Sequence, residues 1–285
     1  DFFKVDELTQ SSLNFSDYQF KFNWRAHEDL SISGFFYNSY DDFVLHKDSA
    51  FIFKNQIASL NFNYKLNGKA TIQSTLGYTQ YETAREEKPS DFLAARLEQS
   101  IRDFKVNAHI SYKWKPKHEI LGGFNLVRKE IQPWNKMKGD ASSIVNPVRL
   151  PKDKALQGAV YVGDKIAFSQ RFDVEVGIRY SMYGLLGPDT HYQFQDDKVH
   201  MDYIQDTVHY GNNKLSYFNS GPEYRISGSY KLFYNQFINF GYDHNRQYIH
   251  LLTNTQAASP VDSWQLSNEN IPPQVGDHVS VGYKA

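Results

Sequence analysis

Residues 104–114 read F-K-V-N-A-H-I-S-Y-K-W, and the alternation in this stretch decides the fold. Phe104, Val106, Ala108, Ile110, Tyr112 and Trp114 fall on one side of an extended chain; Lys105, Asn107, His109, Ser111 and Lys113 fall on the other. Successive side chains of a strand point to opposite faces, so the stretch is a two-faced strand. It exceeds the roughly 5 to 6 residues of an ordinary soluble strand and meets the roughly 9 to 11 that cross hydrocarbon at a tilt.

The pattern recurs toward both ends. Tyr18, Phe20, Phe22 and Trp24 alternate with polar residues, as do Leu60, Phe62, Tyr64 and Leu66. Phe172, Val174, Val176, Ile178, Tyr180 and Met182 alternate with Asp173, Glu175, Gly177, Arg179 and Ser181. Tyr224, Ile226, Tyr230 and Leu232 follow, then Ile238, Phe240 and Tyr242. Short polar turns are expected at 27–29, 67–68, 115–117, 169–171 and 234–236. Long connections are expected at 43–54, 82–100, 130–154, 184–216 and 247–276. Tight turns at one rim and long loops at the other are the organisation of an outer-membrane barrel. Trp24, Tyr64, Trp114, Phe172 and Phe237 beside the turns, and Tyr78, Tyr81, Tyr180, Tyr183 and Tyr217 near the loops, are expected to form two interfacial girdles.

Composition agrees. With 21 Phe and 20 Tyr the chain favours pleated strands. A mean hydropathy of -0.60 and the lack of any long apolar run exclude a membrane-spanning helix. They do not exclude a barrel, whose strands show lipid only every second residue. The net charge of -1 implies no bulk attraction to nucleic acid, and the absence of Cys removes disulfides and thiol chemistry.

The fold class expected is therefore all-β: an antiparallel transmembrane β-barrel of which this chain holds about eleven or twelve strands, counting an uncertain one at 2–8. Because an open edge is not tolerated in lipid, residues 1–285 are expected to be one partial barrel domain of a longer protein. At 90–100, Pro89, Ser90 and the spacing of Leu93, Leu97 and Ile101 suggest a short helix.

From 221 onward the residues resemble a known family. G-P-E-Y-R-I-S-G-S-Y-K-L (221–232), Y-D-H-N-R-Q-Y-I-H-L-L-T-N-T (242–255), P-V-D-S-W (260–264) and I-P-P-Q-V-G-D-H-V-S-V-G-Y (271–283) are similar to barrel strands of TonB-dependent outer-membrane receptors. The subset resembled has members that usually begin with a carboxypeptidase-regulatory-like domain and a plug. K-P-K-H-E-I-L-G-G (115–123) and V-G-I-R-Y-S-M-Y-G-L-L-G-P (176–188) look like earlier strands of the same barrel. The resemblance implies a Gram-negative outer-membrane barrel of about 22 strands around a plug. It also implies energy from the TonB complex through an N-terminal TonB box, and neither plug nor box lies in this sequence. The partners implied are outer-membrane lipid, the plug, the TonB complex, a nutrient ligand and a surface lipoprotein.

No catalytic or metal motif and no cofactor-binding motif is present, so an enzyme is not expected. The stretch 184–216 carries His191, Tyr192, His200, Tyr203, His209 and Tyr210 among Asp189, Asp196, Asp197, Asp202 and Asp206. Such residues could contact a metal-bearing or ring-shaped ligand, or simply keep a surface loop hydrophilic. Trp134 and Trp264 are stacking platforms for substrate or pack within their own loops. Asn245, Arg246, Gln247, Tyr248 and His250, with Gln274 and Asp277, are expected to touch the plug rather than substrate. The function expected is import of a specific nutrient: an iron chelate, haem, cobalamin, a glycan or a peptide. The alternatives are a passive porin and a soluble carbohydrate-binding β-sandwich.

Overall fold

The computed structural model describes residues 11–45, 49–87, 90–195, 201–252 and 262–284. Eleven strands form one antiparallel sheet. The first six are β1 (Ser12–Arg25), β2 (Leu30–Leu45), β3 (Ser49–Leu66), β4 (Ala70–Glu87), β5 (Ala95–Lys115) and β6 (His118–Lys138). Then come β7 (Asp153–Ala167), β8 (Phe172–Leu186), β11 (Leu215–Phe233), β12 (Gln236–Gln247) and β15 (Gln274–Lys284). Each pairs with the next in that order. Two hairpins stand apart: β9 (Asp189–Phe194) with β10 (Ile204–Tyr210), and β13 (Ile249–Leu252) with β14 (Ser263–Leu266). The possible strand at 2–8 lies outside the described residues.

The five expected tight turns are all present, and every longer connection leaves from the opposite rim. Those connections are shorter than expected, because the strands continue beyond the span that lipid requires and reach 21 residues in β5 and β6. The stretch 82–100 shows why. Asp91–Leu93 is only one 3-10 turn, and Leu97 and Ile101 pair with Arg85 and Tyr81 inside β5. A four-residue spacing puts side chains on one face of a strand as well as of a helix, and ladder partners on both sides decide for the strand. The long connections expected at 184–216 and 247–276 each contain a hairpin.

Register turns the alternation into rows. Leu60, Leu76, Val106 and Leu126 are successive cross-strand partners, and so are Ile72 and Ile110, or Phe124, Val160 and Tyr180. This outer face is apolar and uncovered: Ile110 is 41% exposed and Val160 52%. An area of greasy surface this large is not left to water, and the two packed sheets of a soluble sandwich are not what the chain forms. Two gaps in the face are filled from the neighbouring strand. A Cβ on Gly34 would meet the Phe22 ring at 2.1 Å, and one on Gly228 would meet Phe240 at 2.4 Å. Each aromatic covers a bare backbone, a recurrent device of curved sheets.

The inner face differs from β2 to β12. Ser33, Asn61, Thr75, Asn107 and Asn125 form an uncharged row, with Thr75 Oγ1 donating to Asn61 Oδ1 at 2.8 Å. From β7 onward the face is charged, with ion pairs Lys165–Glu175 (3.7 Å), Arg179–Glu223 (3.4 Å) and Arg225–Asp243 (3.5 Å). Nearer the long-loop rim the first half also holds a charge pair between β5 and β6, where buried Asp103 accepts from Lys129 at 2.6 Å.

The expected girdles are corrected in part. Trp24, Tyr64 and Trp114 stand exposed on the outer face by the tight turns, and Tyr78 and Tyr180 share the outer rows. Tyr81, Tyr183 and Tyr217 lie on the opposite face, because a spacing of three residues inverts a strand side chain. Phe237 turns inward too, under the Lys231 ammonium at 5.9 Å.

Placing Arg at Ile110, in the apolar rows, should destabilise the barrel by ~2 to 4 kcal/mol. Val176 sits opposite Asp164, so the Val176→Arg variant should lose less. Unfolding of detergent-solubilised protein in denaturant measures both, and two unchanged midpoints would refute the face assignment.

Candidate functional site

The long-loop rim holds the one cluster of buried apolar side chains among the described residues, and it lies on the inner face. Ile131 from β6, Ala155 from β7 and Tyr183 and Leu185 from β8 meet Tyr248 and Leu266 from the connection between β12 and β15. The described parts of that connection pack inward against the wall. Its root is an aromatic stack: the Tyr183 and Tyr248 rings lie 4.7 Å apart and 2° from parallel. Both are almost wholly buried, at 1% and 3% exposure. Offset stacking adds roughly 0.5–1.5 kcal/mol beyond the area buried, and both ring hydroxyls find partners. The Tyr248 hydroxyl bonds Ser181 Oγ at 2.9 Å, Tyr183 donates to the Ser267 carbonyl at 2.8 Å, and the Ser267 amide donates to the Tyr248 carbonyl at 3.0 Å. Tyr248 takes this position because it interrupts the strand run between β12 and β13 and turns into the lumen.

The far side is tied across the wall. The Asp262 carbonyl accepts from Gln99 Nε2 of β5 at 2.9 Å and from Trp134 Nε1 of β6 at 3.3 Å. His250 Nε2 meets Ser267 Oγ at 2.9 Å, and burial holds this imidazole below the usual histidine range. A clasp joins the two hairpin-bearing connections. His191 Nδ1 faces Glu269 Oε2 at 3.0 Å while its Nε2 faces Asp189 Oδ2 at 2.9 Å, and Tyr210 packs on its ring at 4.8 Å. Each ring nitrogen of His191 thus faces one carboxylate.

The residues singled out in the sequence thus separate into groups. Trp134, Trp264, Tyr248 and His250 all belong to the in-folded connection and its wall contacts. His191 and Tyr210 belong to the clasp. Tyr192 and Tyr203 stay exposed, His209 bonds Thr190 Oγ1 at 3.1 Å on the hairpin surface, and His200 lies outside the described residues. Asn245 opens onto the charged inner wall beside Arg179 and Glu223. The Arg246 guanidinium lies over bare Gly221 and reaches Asn219 Oδ1 at 3.5 Å, while Gln247 Nε2 donates to the Ile249 carbonyl at 2.6 Å. Among the described residues no group of three or more His, Asp or Glu is placed to hold a metal ion. Sequence reasoning missed the wall anchors Ser181, Ile131, Gln99 and Ser267. The usable signal was the appearance of apolar Ile131, Tyr183 and Leu185 on faces that are polar nearer the turns.

Tyr183→Phe should cost about 1–3 kcal/mol by stranding the buried Ser267 carbonyl. Tyr248→Ala should cost about 3–5 kcal/mol by opening the cluster. Both are expected to expose residues 248–273 to protease while the barrel stays folded, as judged by limited proteolysis and circular dichroism. Unchanged cleavage would show that the connection is held by other contacts.

No family model and no curated protein matches this chain. Solved structures do match. The copper transporter OprC superposes with a TM-score of 0.67 at 11% identity, over 96% of this chain and 43% of that one. The ferric-catecholate import receptor Fiu of E. coli K12 gives 0.64 at 11%, over 96% and 49%. The ferric preacinetobactin receptor BauA of Acinetobacter baumannii gives 0.65 at 10%, over 97% and 45%. These are transport receptors rather than enzymes, and the chain spans less than half the length of each. The chain has the fold of a barrel segment of TonB-dependent receptors.

Proposed function

We propose that this chain forms part of the wall of a Gram-negative outer-membrane receptor that imports a specific nutrient with energy from the TonB complex. The observation that supports this best is the in-folded connection rooted on the Tyr183–Tyr248 stack. Its described residues pack on the inner face of β6, β7 and β8, on the side that an open diffusion pore would keep free. The apolar outer face suits lipid, and the charged inner wall formed by Arg179, Glu223, Arg225 and Asp243 offers paired charges to a plug. Asn245 shares that wall, and we assign it to plug contact. The outer edges of β1 and β15 carry no partner among the described residues. In lipid those backbone groups must be paired, so further strands of the parent protein complete the barrel in this reading. The nutrient in this reading is an iron chelate, haem, cobalamin, a glycan or a peptide, with a surface lipoprotein as an additional partner.

A strain deleted for the parent gene should lose growth on one defined source of iron, cobalamin or glycan, and loss of TonB should reproduce the defect. Full growth of the deletion strain on all of them, with the protein present in the wild-type membrane, would refute active import.

A further inference from the structure

Between Trp264 of the in-folded connection and the inner face of β3, β4 and β5 lies a cavity of about 360 Å³. Its wall is built from Asn55, Ile57, Thr79, Tyr81 and Ile101, with Gln80 between Thr79 and Tyr81. These residues are neighbours by register: Asn55 pairs with Tyr81, Ile57 with Thr79, and Tyr81 with Ile101. The volume falls within the roughly 300–1,000 Å³ of small-molecule sites. Trp264 and Tyr81 supply ring faces, while an amide and two hydroxyls supply hydrogen bonds, so the lining is apolar in area with a few polar points.

Charge narrows the ligand. No lining side chain is ionised at neutral pH, and the ladder partner of Thr79, Asp103, is flanked by Lys129 at 2.6 Å and Lys105 at 3.4 Å. An anionic metal chelate calls for arginine or lysine donors, which this cavity lacks. Below it toward the tight-turn rim, past Lys105, which is held by Asp103 at 3.4 Å, runs the uncharged row Asn61, Thr75, Asn107 and Asn125, joined by Asn63, Gln73 and His109 in the next row. A saccharide ring combines an apolar C–H face with a rim of hydroxyls, and this combination matches stacked aromatics beside neutral amides.

We propose that this cavity is a saccharide subsite, with Trp264 as the stacking platform and Asn55, Thr79 and Tyr81 as hydroxyl partners. The proposal rests on the import reading and names its substrate class as a neutral glycan.

The test uses the complete parent receptor in dodecyldimethylamine oxide, a detergent without a sugar headgroup. The probes are neutral oligosaccharides of glucose, xylose, mannose and fructose, with ferric citrate and a ferric catecholate as charged comparators. Calorimetry should show binding to one sugar series and none to the chelates. Trp264→Ala should weaken that binding by about tenfold or more, as loss of an aromatic anchor does. Trp264→Phe should restore most of it, and Asn55→Ala should weaken it several-fold. Thermal unfolding midpoints, measured alongside, identify any variant that fails to fold, and the Phe variant then carries the comparison. Absence of binding to every sugar, tighter binding of a chelate, or a Trp264→Ala affinity within twofold of the parent overturns the proposal. The readout is separate from growth: a deletion strain that fails only on iron leaves import standing and removes the saccharide subsite.

Discussion

In hydrocarbon no water is present to take up a stray backbone N–H or C=O, and each unpaired group costs several kcal/mol. That requirement shapes this protein more than any side chain does. It forces neighbouring strands into long antiparallel ladders, from β1 through β12 to β15. Once the ladder exists, period-two geometry sends half of the side chains to lipid and half inward. The outer half can only be apolar. The inner half is released from that demand and can carry polar chemistry.

The inner half uses this freedom unevenly. Amides and hydroxyls form a continuous row from β2 to β6, where Ser33, Asn61, Thr75, Asn107 and Asn125 run side by side below the Asp103, Lys105 and Lys129 charges. Paired charges dominate from β7 to β12, where Arg179 meets Glu223 and Arg225 meets Asp243. The in-folded connection bridges the two regions. It is rooted at Tyr183 on the charged side and tied through Asp262 to Gln99 and Trp134 on the other.

How much of this was legible in the sequence depended on the range of the interaction. Alternation and turn chemistry are local, so the eleven strands of the sheet, its tight turns and the apolar face of 104–114 could be read directly. Strand ends at the long-loop rim were misjudged where two periods coincide, as at Leu93, Leu97 and Ile101. Girdle positions failed where aromatic identity was weighed without parity, as at Tyr183, three residues from Tyr180. The candidate site depends on contacts far apart in sequence. Nothing local to Trp134 reveals that its indole meets the Asp262 carbonyl, and nothing local to Tyr248 reveals Tyr183. His191, chosen for its chemistry, is held by Glu269 from another connection.

The rings that lie over bare backbone on the lipid side have an evolutionary consequence. Phe22 fills the space above Gly34, and Phe240 fills that above Gly228. A methyl group arriving first at either glycine collides with a ring, whereas a smaller residue arriving first at the phenylalanine leaves an empty notch. Each position sets the fitness of its partner's mutations, so the members of a pair are bound to covary across descendants. The order of substitution then decides which lineages can cross.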